Sequence, residues 1–336
     1  MKEIESAKKV PLFWKKYHIV WISGTFFAGA IVVFILNYFI NLPSIATSAD
    51  VRINDTSYTY INPLLECDSG SSISQGLNSF KNSMQSYVDE LTESKKADFI
   101  SIYFRDMNKG PWFGINENAE FYPASLLKVP IAMAYFEQFE SNPGLLSQKI
   151  TFTKSINQDV EYFKSSTIKL GQTYSIKDLI SAMLVNSDND ALDLLVTNSA
   201  ANNVDTRDTF KYLNVNISSD GMITVAQYST FFRILFNASY LDYDDSEKLL
   251  SMLAESTFTQ GLRAGVPANI PVAHKFGERW TYTDPEKELH DCGIIYYPNH
   301  PYLLCVMTKG TDLDDMASAI SGISKFVYNE VNKQLN

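Results

Sequence analysis

Residues 122–130 read YPASLLKVP, a serine three residues before a lysine at the head of an apolar run. On a helix, positions i and i+3 share a face, so Lys128 would stand beside the Ser125 hydroxyl. The unpaired N–H groups of the first turn would point at negative charge forming there. A lysine in a partly dry cleft can accept the proton of such a hydroxyl. The plain alternative is the capped start of a core helix. The spacing also occurs at Ser6/Lys9 and Ser166/Lys169, so the pair alone does not decide.

Two later stretches change the balance. NSDND at 186–190 holds Ser187-Asp188-Asn189 between two helical stretches, and AHKFGER at 273–279 ends a strand with Lys275-Phe276-Gly277. Alone, the first is an ordinary turn or N-cap. The second is a weak pattern that recurs at Lys169-Leu170-Gly171.

The surrounding chain supplies a context. Leu77, Phe80, Met84, Val88 and Leu91 recur at helical spacing, which predicts an amphipathic helix over 76–94. FISIYFRD (99–106) reads as a strand that turns at Lys109-Gly110 into a hairpin. Helices are expected over 125–140, 176–186, 190–198, 224–236 and 245–255. Strands are expected over 271–277, 290–297 and 302–308, and a closing helix over 313–334. The fold class is α+β: an antiparallel sheet built from both ends of the chain, covered by N- and C-terminal helices, plus a helical lobe. A cleft between two such lobes is a preferred place for a ligand.

In this order and context, SLLK, SDN and KFG resemble the S-x-x-K, S-D-N and K-T-G set of class A β-lactamases and penicillin-binding proteins, the serine DD-peptidases. The resemblance covers about residues 75–335. It implies that Ser125 is the nucleophile that forms an acyl-enzyme and that Lys128 is its base. Ser187 is implied to pass a proton to the leaving nitrogen, with Lys275 holding the local field positive. By the same resemblance Asn189 bonds the substrate amide and Asp188 holds the turn. The backbone N–H groups of Ser125 and Glu278, just past Gly277, form the implied oxyanion hole, where one donor is commonly worth ~3 kcal/mol of barrier.

Two departures from the family pattern stand out. Phe276 replaces the threonine whose hydroxyl helps to bind a substrate carboxylate, leaving Arg279, Thr281 or Thr283 as substitutes. Class A enzymes also carry a deacylation glutamate after S-D-N, whereas this chain has no glutamate between Glu161 and Glu247. The helix expected to follow that loop begins 34 residues after Asn189, at Ile223, so the loop is shortened. Asp205, Asp208 and Asp220 are the carboxylates within it.

Composition and the N-terminus set the remaining expectations. The net charge is −10, with 28 Lys+Arg against 38 Asp+Glu, which argues against nucleic acid as a partner. Four histidines and three cysteines form no metal-ligand spacing, so no metal or other cofactor is expected. Ile19 to Leu42 runs 24 residues without a charge after five lysines, the pattern of a single transmembrane anchor with a cytoplasmic N-terminus. A cleaved signal peptide is the alternative. The domains expected are a cytoplasmic tail (1–18), an anchor (19–42), an extracytoplasmic stalk (43–72) and the serine hydrolase domain (73–336). Cys292 and Cys305 flank a hairpin, placed either to form a disulfide or to remain two buried thiols; Cys67 is unassigned.

The function expected is a membrane-anchored, DD-peptidase-like acyl hydrolase acting on peptidoglycan D-Ala-D-Ala peptides or β-lactams. The alternatives are a β-lactamase with an altered deacylation step and a non-catalytic protein that binds cell-wall peptides.

Overall fold

The computed structural model describes residues 51–52, 57–66, 75–108, 110–155, 162–163, 167–281 and 285–335. The expected tail and anchor, and Cys67, lie outside them. Among the described residues no helix is long and apolar enough to cross a membrane.

The elements in chain order are β1 (Val51–Arg52), β2 (Leu64–Glu66), α1 (Gln75–Glu93), β3 (Phe99–Asp106), β4 (Trp112–Ile115) and β5 (Glu120–Phe121). A 3₁₀ turn at Ala124–Leu127 leads into α2 (Lys128–Ser141), followed by β6 (Lys149–Thr151) and β7 (Thr173–Ser175). The helical lobe continues with α3 (Ile176–Val185), α4 (Asn189–Ser199) and α5 (Asp208–Tyr212). After β8 (Ile223–Thr224) come α6 (Val225–Asn237) and α7 (Tyr243–Ala254). The chain closes with β9 (Val272–Arg279), β10 (Lys287–Ile295), β11 (Tyr302–Gly310) and α8 (Leu313–Leu335).

The sheet is five-stranded and antiparallel in the order β4-β3-β11-β10-β9. Its strands come from both ends of the chain, as the alternating patterns imply. On one face α1 buries Phe80 and Met84, and α8 buries Met316, Ile320 and Ile323, all in one core with Ile102, Phe104 and Val306. Phe80 meets the rings of Phe104 and Phe113 edge-on at 5.1 and 5.0 Å. The other face carries the helical lobe, whose core runs from Phe121 and Met133 through Tyr228 and Phe232 to Leu303 and Met307. Cys292 and Cys305 stand opposite each other across β10 and β11 and are joined in a disulfide.

Three details go beyond the sequence-based expectation. β9 continues two residues past Gly277, to Arg279, and β10 begins at Lys287, three residues before the expected start. Small ladders pair β5 with β8 and β6 with β7. Ladders of two or three residues are too short to show any period.

The third concerns the segment expected as a stalk. Residues 49–336 group as one of two units of the chain, so the described part of this segment belongs with the sheet and lobe. β1 pairs with β2, and residues 58–62 dock on α6 and α7. The Glu247 carboxylate accepts the backbone N–H groups of Thr59, Tyr60 and Ile61 at 2.8, 2.8 and 3.0 Å. Asn62 N donates to Phe236 O at 2.8 Å, and the Ile61 side chain is buried. One carboxylate satisfying three amides needs no amphipathic pattern, so the sequence gives no sign of it.

Hydrogen bonds to a charged acceptor are worth about 1.5–3 kcal/mol each, less where part-exposed. Glu247→Ala is therefore expected to lower the unfolding free energy by about 2 kcal/mol in urea titration. A fragment beginning at residue 73 is expected to be less stable than one beginning at 49.

Candidate active site

Four pieces of chain converge at the junction of sheet and lobe. The first is the turn carrying Ser125. The chain leaves β5 through Tyr122 and Pro123, and Ala124 then takes a left-handed φ of +47°. A non-glycine residue in that region costs of order 1–2 kcal/mol and persists only where its surroundings hold it. Ser125 follows in the 3₁₀ turn, half-buried, and Lys128 is the first residue of α2. Ser125 therefore stands one 3₁₀ turn before Lys128, a tighter spacing than the α-helical one expected. The Tyr228 hydroxyl, buried and held well above its ordinary pKa by desolvation, donates to Leu126 O at 2.8 Å.

The second piece is the turn between α3 and α4. Ser187 also has a left-handed φ, +58°, and this turns both its carbonyl and its hydroxyl toward Lys128. Lys128 is fully buried; its Nζ donates to Ser187 O, to Ser187 Oγ at 3.1 Å and to Asn189 Oδ1 at 2.5 Å. Asp188 caps α4 by accepting from Ala191 N at 2.9 Å. Its other oxygen accepts from Thr167 N, Thr167 Oγ1 and Ile168 N. Asp188 therefore holds the turn.

The third piece is β9. Lys275, also fully buried, donates from Nζ to Ser187 Oγ and to Phe276 O, both at 2.8 Å. A Cβ on Gly277 would lie 2.9 Å from Pro123 O and 3.1 Å from Leu126 N. Only glycine lets the strand run this close to the Ser125 turn, which sets where the Glu278 backbone stands.

The fourth piece is a pair of residues from the β6–β7 connection. The Glu278 carboxylate accepts Tyr162 N at 2.8 Å and Phe163 N at 3.2 Å. The Phe276 ring stacks on Phe258 with centroids 4.1 Å apart and meets Phe163 edge-on at 6.2 Å. With Asn186 and Gln260 these rings line a cavity of about 220 Å³ beside the Ser187 turn. Arg279 lies over the Tyr122 ring at 4.4 Å. Thr281 is exposed at the end of the strand, and Thr283 lies outside the described residues.

The structure thus brings Lys128, Ser187, Asn189 and Lys275 into direct contact, with Gly277 packed against the Ser125 turn. Ser187 Oγ accepts from both Nζ groups, which uses its two lone pairs and leaves its own proton to donate elsewhere. Such a chain can relay a proton between two lysines and a bound group. Of the loop carboxylates, Asp205 and Asp208 accept from Lys211 Nζ at 2.6 and 3.1 Å, and Asp220 is exposed on a turn. Sequence reasoning missed Tyr228, which looks like any core aromatic of α6.

Fold and site together define a β-lactamase and penicillin-binding-protein type of serine hydrolase fold. The model of the β-lactamase enzyme family matches residues 82–331, and the chain belongs to that family. It is 24% identical to the β-lactamase VEB-1 of Pseudomonas aeruginosa, over 72% of this chain and 88% of that protein. A β-lactamase from Chitinophaga pinensis superposes with a TM-score of 0.64 at 20% identity, over 75% of this chain and 100% of the other. The penicillin-binding protein PBP-A superposes with a TM-score of 0.61 at 19% identity, over 75% and 96%.

Gly277→Ala is expected to force β9 off the Ser125 turn. A displacement near 1 Å costs about 10²-fold in rate. The expected outcome is an acylation rate reduced by about that factor in a protein that still unfolds cooperatively, checked by stopped-flow acylation beside a thermal melt.

Proposed function

We propose that the protein is an active-site-serine acyl hydrolase of DD-peptidase type. Ser125 attacks a carbonyl, Lys128 in its neutral amine form takes its proton, and Ser187 delivers a proton to the leaving nitrogen under the field of Lys275. Asn189 bonds the substrate amide, and the N–H groups of Ser125 and Glu278 receive the oxyanion. The observation that carries this reading is the buried chain Lys128–Ser187–Lys275, packed beside the Ser125 turn. Burying two lysine amino groups is costly whether or not they are charged, and a protein core has no need of them.

The acyl donor proposed is a D-Ala-D-Ala peptide of the cell wall, with β-lactams as analogues, cleaved by a domain tethered outside the membrane by residues 19–42. Slow deacylation is part of the proposal: the pairing of Asp205 and Asp208 with Lys211 favours it. A second reading, hydrolysis of β-lactams with a different deacylating group, is favoured by the likeness to VEB-1, itself a β-lactamase.

The test is a fragment of residues 49–336 incubated with penicillin and followed by intact mass. A long-lived adduct on Ser125 is expected. An adduct that clears within seconds favours the β-lactamase reading, and no adduct on a folded protein points to a non-catalytic wall-peptide binder. Ser125→Ala is expected to abolish the adduct with an unchanged melt, and Lys128→Ala to slow acylation by about 10³-fold or more, the upper range for a general base.

A further inference from the structure

Beyond the end of the short β5 ladder the chain has three residues to travel before Ser125. There, two side chains of β10 that the proposed reaction does not use take hold of the backbone. The Glu288 Oε2 accepts Tyr122 N at 2.9 Å, and His290 Nε2 lies 3.0 Å from Tyr122 O and 3.2 Å from Glu288 Oε2. On the far side of the ring, His290 Nδ1 accepts from Thr308 N at 3.4 Å. With Nδ1 the acceptor, the ring proton is on Nε2, and His290 donates to Tyr122 O. The two peptide units flanking the Tyr122 Cα are thus both tied to one carboxylate–imidazole pair.

Both side chains are fully buried. Glu288 Oε1 makes no hydrogen bond among the described residues and faces Lys309 Nζ at 4.0 Å. A buried, half-satisfied carboxylate is costly, and replacing such a pair with apolar side chains is often neutral or stabilising. Stability alone gives no reason for it here. The next residues supply one, because Ala124 is strained and must be held from upstream as well as downstream. Downstream, Tyr228 holds Leu126 O, and Gly277 admits β9. Upstream, the grip on Tyr122 is the matching restraint, and the Phe121 ring set edge-on to His290 at 5.4 Å fixes the imidazole.

We propose that Glu288 and His290 are positioning residues that hold the Ser125 turn in its reactive geometry through the backbone of Tyr122. This rests on Ser125 being the acylated serine. Three variants of the 49–336 fragment test it with penicillin as the probe, the first-order acylation constant being separated from the affinity of the non-covalent complex. Glu288→Asp keeps the charge but draws the acceptor back from Tyr122 N; Glu288→Gln keeps the length and an acceptor but loses the charge; His290→Phe removes the donor.

Glu288→Asp and His290→Phe are expected to slow acylation by about 10–100-fold with affinity unchanged, since the loss is one of alignment. Glu288→Gln is expected to stay within about fivefold, a neutral hydrogen bond replacing a charged one. Acylation slowed more by Glu288→Gln than by Glu288→Asp would overturn the proposal, as would rate and affinity falling together, or no effect in any variant. Should His290→Phe not fold, the two Glu288 variants decide. Wild-type protein that takes no adduct on Ser125 sinks the acyl-transfer reading and this one with it, whereas labelled wild type with unaffected variants sinks only this one.

Discussion

Ser187 Oγ sits between two fully buried lysine amino groups, 3.1 Å from Lys128 Nζ and 2.8 Å from Lys275 Nζ. One lysine comes from the first residue of α2 in the helical lobe, the other from β9 in the sheet. Neither amino group can lose its hydrogen bonds without being left buried and unpaired, at a cost of about 1–3 kcal/mol or more. The lobe and the sheet must therefore meet within hydrogen-bonding tolerance at this one hydroxyl. The absence of a side chain at Gly277 and the core common to the lobe helices and the sheet serve that registration.

The same junction explains where the backbone is strained. Ala124 and Ser187 both have positive φ without being glycine, and they stand at the two turns that meet Lys128 and β9. Each conformation is over-determined by its neighbours. Around Ser187 these are the Lys128 bonds and Asp188, which ties the turn to Thr167 and Ile168 while capping α4. Glycine at either position would relax the strain and also widen the choice of conformations. A residue with a Cβ, held from both sides, leaves the side chain fewer places to be.

The sequence made the main elements and four contacting site residues legible because each leaves a periodic or spaced trace. The helix faces of α1 and α8, the strands of the sheet and the motif residues Lys128, Ser187, Asn189 and Lys275 were all of that kind. What escaped has no such trace. Glu288 and His290 sit in a central strand, where Lys287 and Glu288 read as a break in the apolar pattern, so the sequence-based start falls at His290, three residues late, and the tertiary role of either side chain leaves no trace. Tyr228 is one aromatic among many, and its single bond to Leu126 O is tertiary. Glu247 is a helix-surface acid in sequence, and only the fold brings the amides of Thr59 to Ile61 to it. Phe276 was visible as a departure, but only its stacking on Phe258 shows that the ring belongs to the wall of the site.

The distribution of contacts also separates the two halves of an acyl-transfer cycle. Among Lys128, Ser187, Asn189 and Lys275 the hydrogen bonds are short, buried and mutually dependent, as electrostatic preorganisation beside the Ser125 turn requires. The acidic residues between α4 and α6 stand in a different environment: Asp205 and Asp208 share Lys211, whose side chain is 61% exposed. A carboxylate that is to activate water for deacylation must be near the acyl carbon and able to accept a proton. Pairing with a lysine lowers the pKa of Asp205, chiefly through the hydrogen bond from Lys211, and so makes it a weaker base. Among the described residues, the contacts proposed to serve acylation are therefore more deeply buried than any that Asp205 and Asp208 offer for deacylation. The long-lived intermediate proposed above rests on that asymmetry.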